Sequence, residues 1–181
     1  MIFPRTTALE ASAHVESALR DKVGRMAPAG DLRMGKETLS RIVYVVEKCT
    51  PEDVAAALVA AGWRKLRTSR GPMVFARDRW PKLVICVAHE GHGDLLGVNR
   101  HSNFEVLLFL LTGTAMFQHR VREFIRQNGF TFRTERGLYH GDTLVAWLEE
   151  DIFLSAGLTY IPPEERYIFH PEKYQALVEA F

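Results

Sequence analysis

Residues 30–46, GDLRMGKETLSRIVYVV, limit what this chain can fold into more than any other stretch. They end in an apolar run, Ile42 to Val46, that reads as a strand returning to a sheet. Ahead of the strand, a loop opened by Gly30 carries Arg33, Lys36 and Arg41. A loop of this kind presents basic side chains and backbone N–H groups to a phosphate. A metal-using site would also need paired carboxylates at the start of the strand, on one face. Arg41 and Val43 stand there instead.

The chain has 181 residues and 47% hydrophobic content, enough for one sizeable core or two small ones. It has neither a run of 18 apolar residues nor a charged-then-apolar leader. The expectation is therefore a cytoplasmic protein, not secreted and without a membrane partner. Cys49 and Cys86 sit beside or within strand-like runs and form no CxxC pair, as reduced packing residues do. Charge is unevenly spread. Residues 1–141 carry a net +7 and residues 142–181 a net −6. A polyanion could dock on the basic part while the acidic tail faces away, and solvated charged faces give the same pattern.

Helical spacing of Ala8, Ala11, Val15, Ala18, Leu19 and Val23 predicts a first helix, capped by Thr6 or Thr7 and running to about Val23. Pro28-Ala29-Gly30 breaks it. Thr50-Pro51-Glu52-Asp53 opens a second helix, ending at Gly62, with a Thr cap and Pro at the first helical position. Strands follow over residues 63–69, 73–77 and 82–88. Residues 64–82 hold Arg64, Lys65, Arg67, Arg70, Arg77, Arg79 and Lys82 against the single acid Asp78. Such a hairpin can track a phosphate backbone, or it can be an edge strand charged against edge pairing.

The loop from His89 to Asn99 (HEGHGDLLGVN) gathers His89, Glu90, His92 and Asp94 without HExxH spacing, and no metal site is expected in it. Residues 104–111 read as a buried helix. Thr112-Gly113-Thr114 then punctuates, and Thr114 caps a helix to Gln127. Its Phe117, Val121, Phe124 and Ile125 face a core. Gln118, Arg122 and Arg126 recur every fourth residue on another face, a ridge suited to a nucleic-acid groove and equally to solvent. Short strands are expected at residues 130–133, 137–140 and 144–147, and a helix at 149–156. Pro171 opens a last amphipathic helix with Tyr174, Leu177, Val178 and Phe181.

Three of these motifs, in order, resemble those of the family X DNA polymerases, of the nucleotidyltransferase superfamily. EEDIFLSAGLTYIPPEER, residues 149–166, is similar to the family's terminal motif. LLTGTAMFQHRVREFIRQNGF, residues 110–130, resembles its Tyr-Phe-Thr-Gly-Ser segment and following helix. GDLRMGKE resembles its Gly-Ser-x-Arg-Arg-Gly loop. The resemblance implies an α+β chain. A nucleotidyltransferase-type palm, a mixed sheet with flanking helices, would span residues 1–111. A small α+β thumb with an extra C-terminal helix would span 112–181.

It further implies DNA of gapped or primer–template type as the partner. Arg33, Thr112, Gly113, Gln118, Arg122 and Arg126 become the DNA- or nucleotide-contacting residues, beside the basic-hairpin residues Arg64 and Arg67. The family's three catalytic aspartates, which hold two divalent metals, fall on Arg41, Val43 and Val84. The loop Ser falls on Asp31, the second loop Arg on Met34, and the aromatic pair before Thr-Gly on Leu110-Leu111. An aliphatic strand face offers Mg²⁺ no oxygen ligands. The expectation is thus a catalytically inactive polymerase-like protein that needs no cofactor and keeps a nucleic-acid-binding surface. Two alternatives stay open. One is an active nucleotidyltransferase using Mg²⁺ and the relocated acids Asp31, Glu37, Glu47 and Asp78. The other is a protein-interaction module using the His89 to Asn99 loop or the C-terminal helix.

Overall fold

The computed structural model describes residues 1–67, 71–89, 102–133 and 136–175. Contacts divide the chain into two compact units, Met1–His89 and Glu90–Phe181. The first contains β1 (Phe3–Pro4), α1 (Arg5–Leu19), β2 (Arg25–Ala29), α2 (Gly30–Arg33) and β3 (Thr38–Leu39). These are followed by β4 (Arg41–Glu47), α3 (Pro51–Ala60), β5 (Arg64–Leu66), β6 (Met73–Ala76) and β7 (Lys82–Val87).

A mixed five-stranded sheet runs in the order β2-β4-β7-β6-β5, with β4 and β7 parallel and the other pairs antiparallel. Strand alternation sends Ile42, Tyr44 and Val46 to one face, with Leu83, Ile85, Met73 and Phe75 of the neighbouring strands. On that face they form one core with Ala8, Ala11, Val15 and Leu19 of α1 and Val54 and Leu58 of α3. Tyr44 brings a hydroxyl into this core, and the hydroxyl donates to Glu16 Oε1 at 2.5 Å and contacts Ser12 Oγ. Burial, with the Glu16 hydrogen bond second, raises its pKa above the usual phenol value.

Three details differ from the sequence reading. The first helix starts at Arg5 and stops at Leu19, short of Val23. Pairing of β1 with β3 and the bond from Arg5 N–H to Glu37 O at 2.8 Å fix the start ahead of Thr6 and Thr7. Residues 25–29 form a strand although Pro28 lies within it. β2 is an edge strand, so the missing N–H of Pro28 breaks no ladder on its open side. Residues 30–33 form a short helical turn rather than an open loop. Thr50 does cap α3 as expected, accepting from Asp53 N–H at 3.1 Å.

The second unit contains α4 (Phe104–Leu111), α5 (Ala115–Gln127), β8 (Phe130–Arg133), β9 (Gly137–His140), β10 (Thr143–Ala146) and α6 (Glu149–Ser155). A 3₁₀ turn at Pro163–Glu165 and α7 (Pro171–Tyr174) follow. β8, β9 and β10 form an antiparallel sheet with β9 in the middle. Its core joins Val106 and Phe109 of α4, Phe117, Val121 and Ile125 of α5, and Ile152 and Phe153 of α6. Packing thus groups α4 with this unit, whereas the sequence reading put residues 104–111 at the end of the first.

The last helix is a single turn. Gln175 leaves it in an extended conformation and bridges to Leu158, which ends the helical pattern at Tyr174. Tyr174 is buried in its own unit and donates to Glu165 Oε2 at 2.6 Å, so it is not an outward contact for a protein partner. Leu177, Val178 and Phe181 lie outside the described residues, as do residues 90–99 of the candidate metal or partner loop. Among the described residues no helix is long and apolar enough to cross a membrane.

One corner of the first unit responds to pH. His14 on α1 accepts from Trp63 Nε1 at 3.3 Å and lies 2.8 Å from Arg77 Nη1 through Nε2. Arg77 also donates to Ala61 O and covers the Trp80 ring at 4.4 Å. Burial, and then the charge of Arg77, lowers the His14 pKa below its ordinary 6.5. The folded protein therefore holds His14 neutral where the unfolded chain binds a proton. This stability is complete above about pH 6.5 and is lost as pH falls toward the folded value. Thermal unfolding from pH 8 to 5 should show a falling midpoint below pH 6.5, and His14→Gln should flatten that fall.

Candidate nucleic-acid interface

The second unit is pinned by a buried ion pair. Arg166 Nη1 donates to Glu149 Oε1 at 2.6 Å, with side-chain exposures of 0% and 3%. Arg166 Nε donates to Ile161 O at 2.8 Å, and the guanidinium packs over Phe153 and Tyr160 at 5.1 and 5.5 Å. Both charges belong to the motif at residues 149–166, so that motif supplies a buried tie inside the unit.

The same segment sets the start of α5. Thr114 N–H donates to Arg166 O at 3.0 Å, and Thr114 Oγ1 donates to Tyr167 O at 2.5 Å. That Oγ1 also accepts from Phe117 N–H at 3.1 Å as the helix cap. Removing one partner of a buried pair strands the other charge. Arg166→Met should destabilise the protein by about 3–5 kcal/mol. Urea unfolding checks this, and a loss below about 1 kcal/mol, the size of a surface pair, contradicts it.

The turn before α5 needs its glycine. Gly113 has φ of 133°, and a Cβ there would lie 2.6 Å from Phe117 Cδ1. Thr112 is fully buried. The Gln118 amide donates to Phe109 O at 2.6 Å and Thr112 O at 2.9 Å, tying α5 back to the end of α4. Gln118 therefore spends its donors inside the unit, and its Oε1 is buried with no partner among the described residues.

Beyond Gln118 the ridge is open. Arg122 and Arg126 are exposed, and with Gln118 they line a groove between α5 and β8 of about 690 Å³. His119, Glu123, Phe130, Thr131 and Phe132 complete it. Glu123 offsets part of the positive charge, and His119 approaches it to 4.0 Å. Phe130 and Phe132 were not expected in a site. Their signal was the alternation Phe-Thr-Phe, which puts both rings on one face of β8, toward one side of the sheet. Guanidinium groups suit phosphates, and aromatic rings suit bases.

The remaining candidates lie in the first unit. Arg33 closes α2, half-buried. Arg64 and Arg67 are exposed, Arg64 on the edge strand β5 and Arg67 just beyond it. Charged residues on an edge strand also discourage edge-to-edge pairing.

The strand positions where the resemblance puts metal ligands are also defined. Val43 and Val84 are register partners on the parallel pair β4–β7, and Arg41 is the partner of Lys82 one step earlier. Two isopropyl groups and a guanidinium supply no oxygen ligand, so these residues do not fit a pair of divalent cations. Asp31 pairs with Lys36 at 2.5 Å, and Glu47 stands at the far end of β4. Among the described residues no group of three or more His, Cys, Asp or Glu lies close enough to hold a metal. Burial pushes the Cys86 thiol up to about 11, against a smaller opposing pull from Arg41, which disfavours the reactive thiolate.

Residues 107–167 match the family model of the DNA polymerase beta thumb. The match is about a third of the chain and supports a polymerase beta-like, family X relationship. No curated protein matches the chain. The thumb match begins within α4 and ends one residue after Arg166, so it takes in both halves of the buried ion pair and the whole α5–β8 groove. α7 lies past its end. In this unit the Thr-Gly turn, the Gln118 amide and the Arg166 segment all converge on the first turn of α5, which fixes where Arg122 and Arg126 project.

Proposed function

We propose that this protein is a DNA-binding relative of the family X polymerases that does not catalyse nucleotidyl transfer. It serves as a binding or scaffold protein in DNA replication or repair. The thumb match supports DNA as the partner. The first unit's mixed sheet, with its helices on one face, is consistent with a nucleotidyltransferase palm. The observation that carries the loss of catalysis is the aliphatic pair Val43 and Val84 in register beside Arg41. Phosphoryl transfer depends on metals that neutralise developing charge at the phosphates, and those three side chains offer no oxygen to ligate them.

In this reading Arg122 and Arg126 contact backbone phosphates, and Phe130 and Phe132 support bases or sugars in the groove. Binding then weakens with salt as counterions are released. Gapped, nicked and single-stranded DNA, titrated at two salt concentrations, test it. The gapped form should bind at low salt. Arg122→Gln/Arg126→Gln should lower the slope of log K on log salt by about 1.8 for duplex contacts. Absence of binding to any of the three at low salt refutes the proposal. Primer-extension and terminal-transfer assays with Mg²⁺ or Mn²⁺ should give no incorporation. Incorporation that disappears on mutating Asp31, Glu37, Glu47 or Asp78 would instead establish an active enzyme with relocated acids.

A further inference from the structure

The first unit carries an uncompensated cation at the corner where α1, α3 and the turn after β6 meet. Arg77 spends Nη1 on Ala61 O at 2.8 Å and on His14. Its Nε and Nη2 make no hydrogen bond among the described residues, and neither atom is buried. No acid among the described residues pairs with it. Its charge is the second cause, after burial, of the lowered His14 pKa, as expected of a guanidinium without a counter-ion.

The corner also holds more donors than acceptors. A neutral imidazole offers one acceptor nitrogen, yet Trp63 Nε1 and Arg77 Nη1 both bring donors to His14, at 3.3 and 2.8 Å. What the cluster lacks is an oxygen acceptor.

The guanidinium is held in place. It covers the Trp80 ring at 4.4 Å, and that ring packs edge-on to His14 at 5.0 Å and beside Trp63 at 5.4 Å. A tight turn brings Trp80 there. Its N–H donates to Arg77 O at 3.3 Å, and Arg79 takes φ of 66°, a left-handed conformation that bulky side chains rarely adopt. With Nη1 spent and one face stacked, the Nε–Nη2 edge is the open side. Its two parallel N–H groups match the two oxygens of a carboxylate.

A second cation shares this side of the sheet. Phe75 faces α1 and α3, Lys65 is its register partner, and Arg77 lies two residues on from Phe75. Lys65 is exposed and has no ion pair among the described residues. Exposed acids flank the two, Glu10 one turn before His14 on α1 and Asp78 next to Arg77. Two cations between acids suit one or two carboxylates and disfavour the continuous charge of a nucleic-acid backbone.

We propose that this corner docks an acidic segment of a partner protein, with one carboxylate on the Nε–Nη2 edge of Arg77 and a second on Lys65. The aliphatic stem of the first rests on the half-buried Trp80 ring. The inference is independent of the DNA-binding reading and uses neither Arg122 nor Arg126.

The test uses the full chain and a capped hexaglutamate peptide, with the Trp80 indole resonance and tryptophan fluorescence as readouts. The peptide should shift the Trp80 signal saturably at low salt, and its all-glutamine counterpart should not. Arg77→Lys keeps the charge, loses the paired N–H edge, and should weaken binding about tenfold. Lys65→Gln removes no contact within the fold and should weaken it about threefold, the worth of one exposed ion pair. Arg122→Gln/Arg126→Gln should leave it unchanged, which separates this corner from the groove.

A Trp80 signal unmoved by the peptide, or unchanged affinity in both Arg77→Lys and Lys65→Gln, overturns the inference. So does a dT oligonucleotide that displaces the peptide from the same signal. Self-association of the chain that both variants abolish, with no binding of the peptide, overturns it as well and makes a second copy the occupant.

Discussion

A charge fully removed from water survives in a folded protein only when its partner is held just as firmly. In the second unit that condition falls on Arg166 and Glu149, which are 17 residues apart and meet at 2.6 Å with both side chains buried. The start of α5 is tied to the same segment. The backbone of residues 166 and 167 receives the Thr114 N–H and hydroxyl, Thr114 caps the helix, and Gly113 lets the chain turn sharply enough to reach the cap. The two arginines that face the groove are thereby presented from a rigid element.

The first unit depends on a different constraint, the alternation of its central strands. The face toward α1 and α3 must be apolar, and Ile42, Tyr44 and Val46 satisfy it, with the Tyr44 hydroxyl paired to Glu16. The opposite face is packed as well, since Ala29, Val43 and Val45 are buried on it. Valine satisfies that packing and supplies no oxygen to a metal.

Much of the fold was legible in the residues, and the exceptions have physical causes. Thr50-Pro51 and Thr114 announced their helices because a cap is a local hydrogen bond within three residues. β2 was hidden because Pro28 argues against a strand, and only its edge position makes the proline harmless. Of the candidate site, Arg122 and Arg126 were visible as a helical ridge. Gln118 shared their spacing, yet its amide turns inward to one carbonyl of α4 and one of the turn after it. Phe130 and Phe132 looked like ordinary strand residues until β8 was placed beside α5.

The sequence by itself determined that Thr50 and Thr114 cap their helices and that Arg41, Val43 and Val84 stand on apolar strands. Period and capping are properties of neighbours along the chain. Tertiary structure alone decided that Arg166 is a buried anchor rather than a surface contact, and that Arg41 stands beside Lys82. It also decided that Phe130 and Phe132 line the groove beside α5. Each of these joins elements distant in sequence, and burial and register, which set the worth of a charge, exist only once those elements have packed.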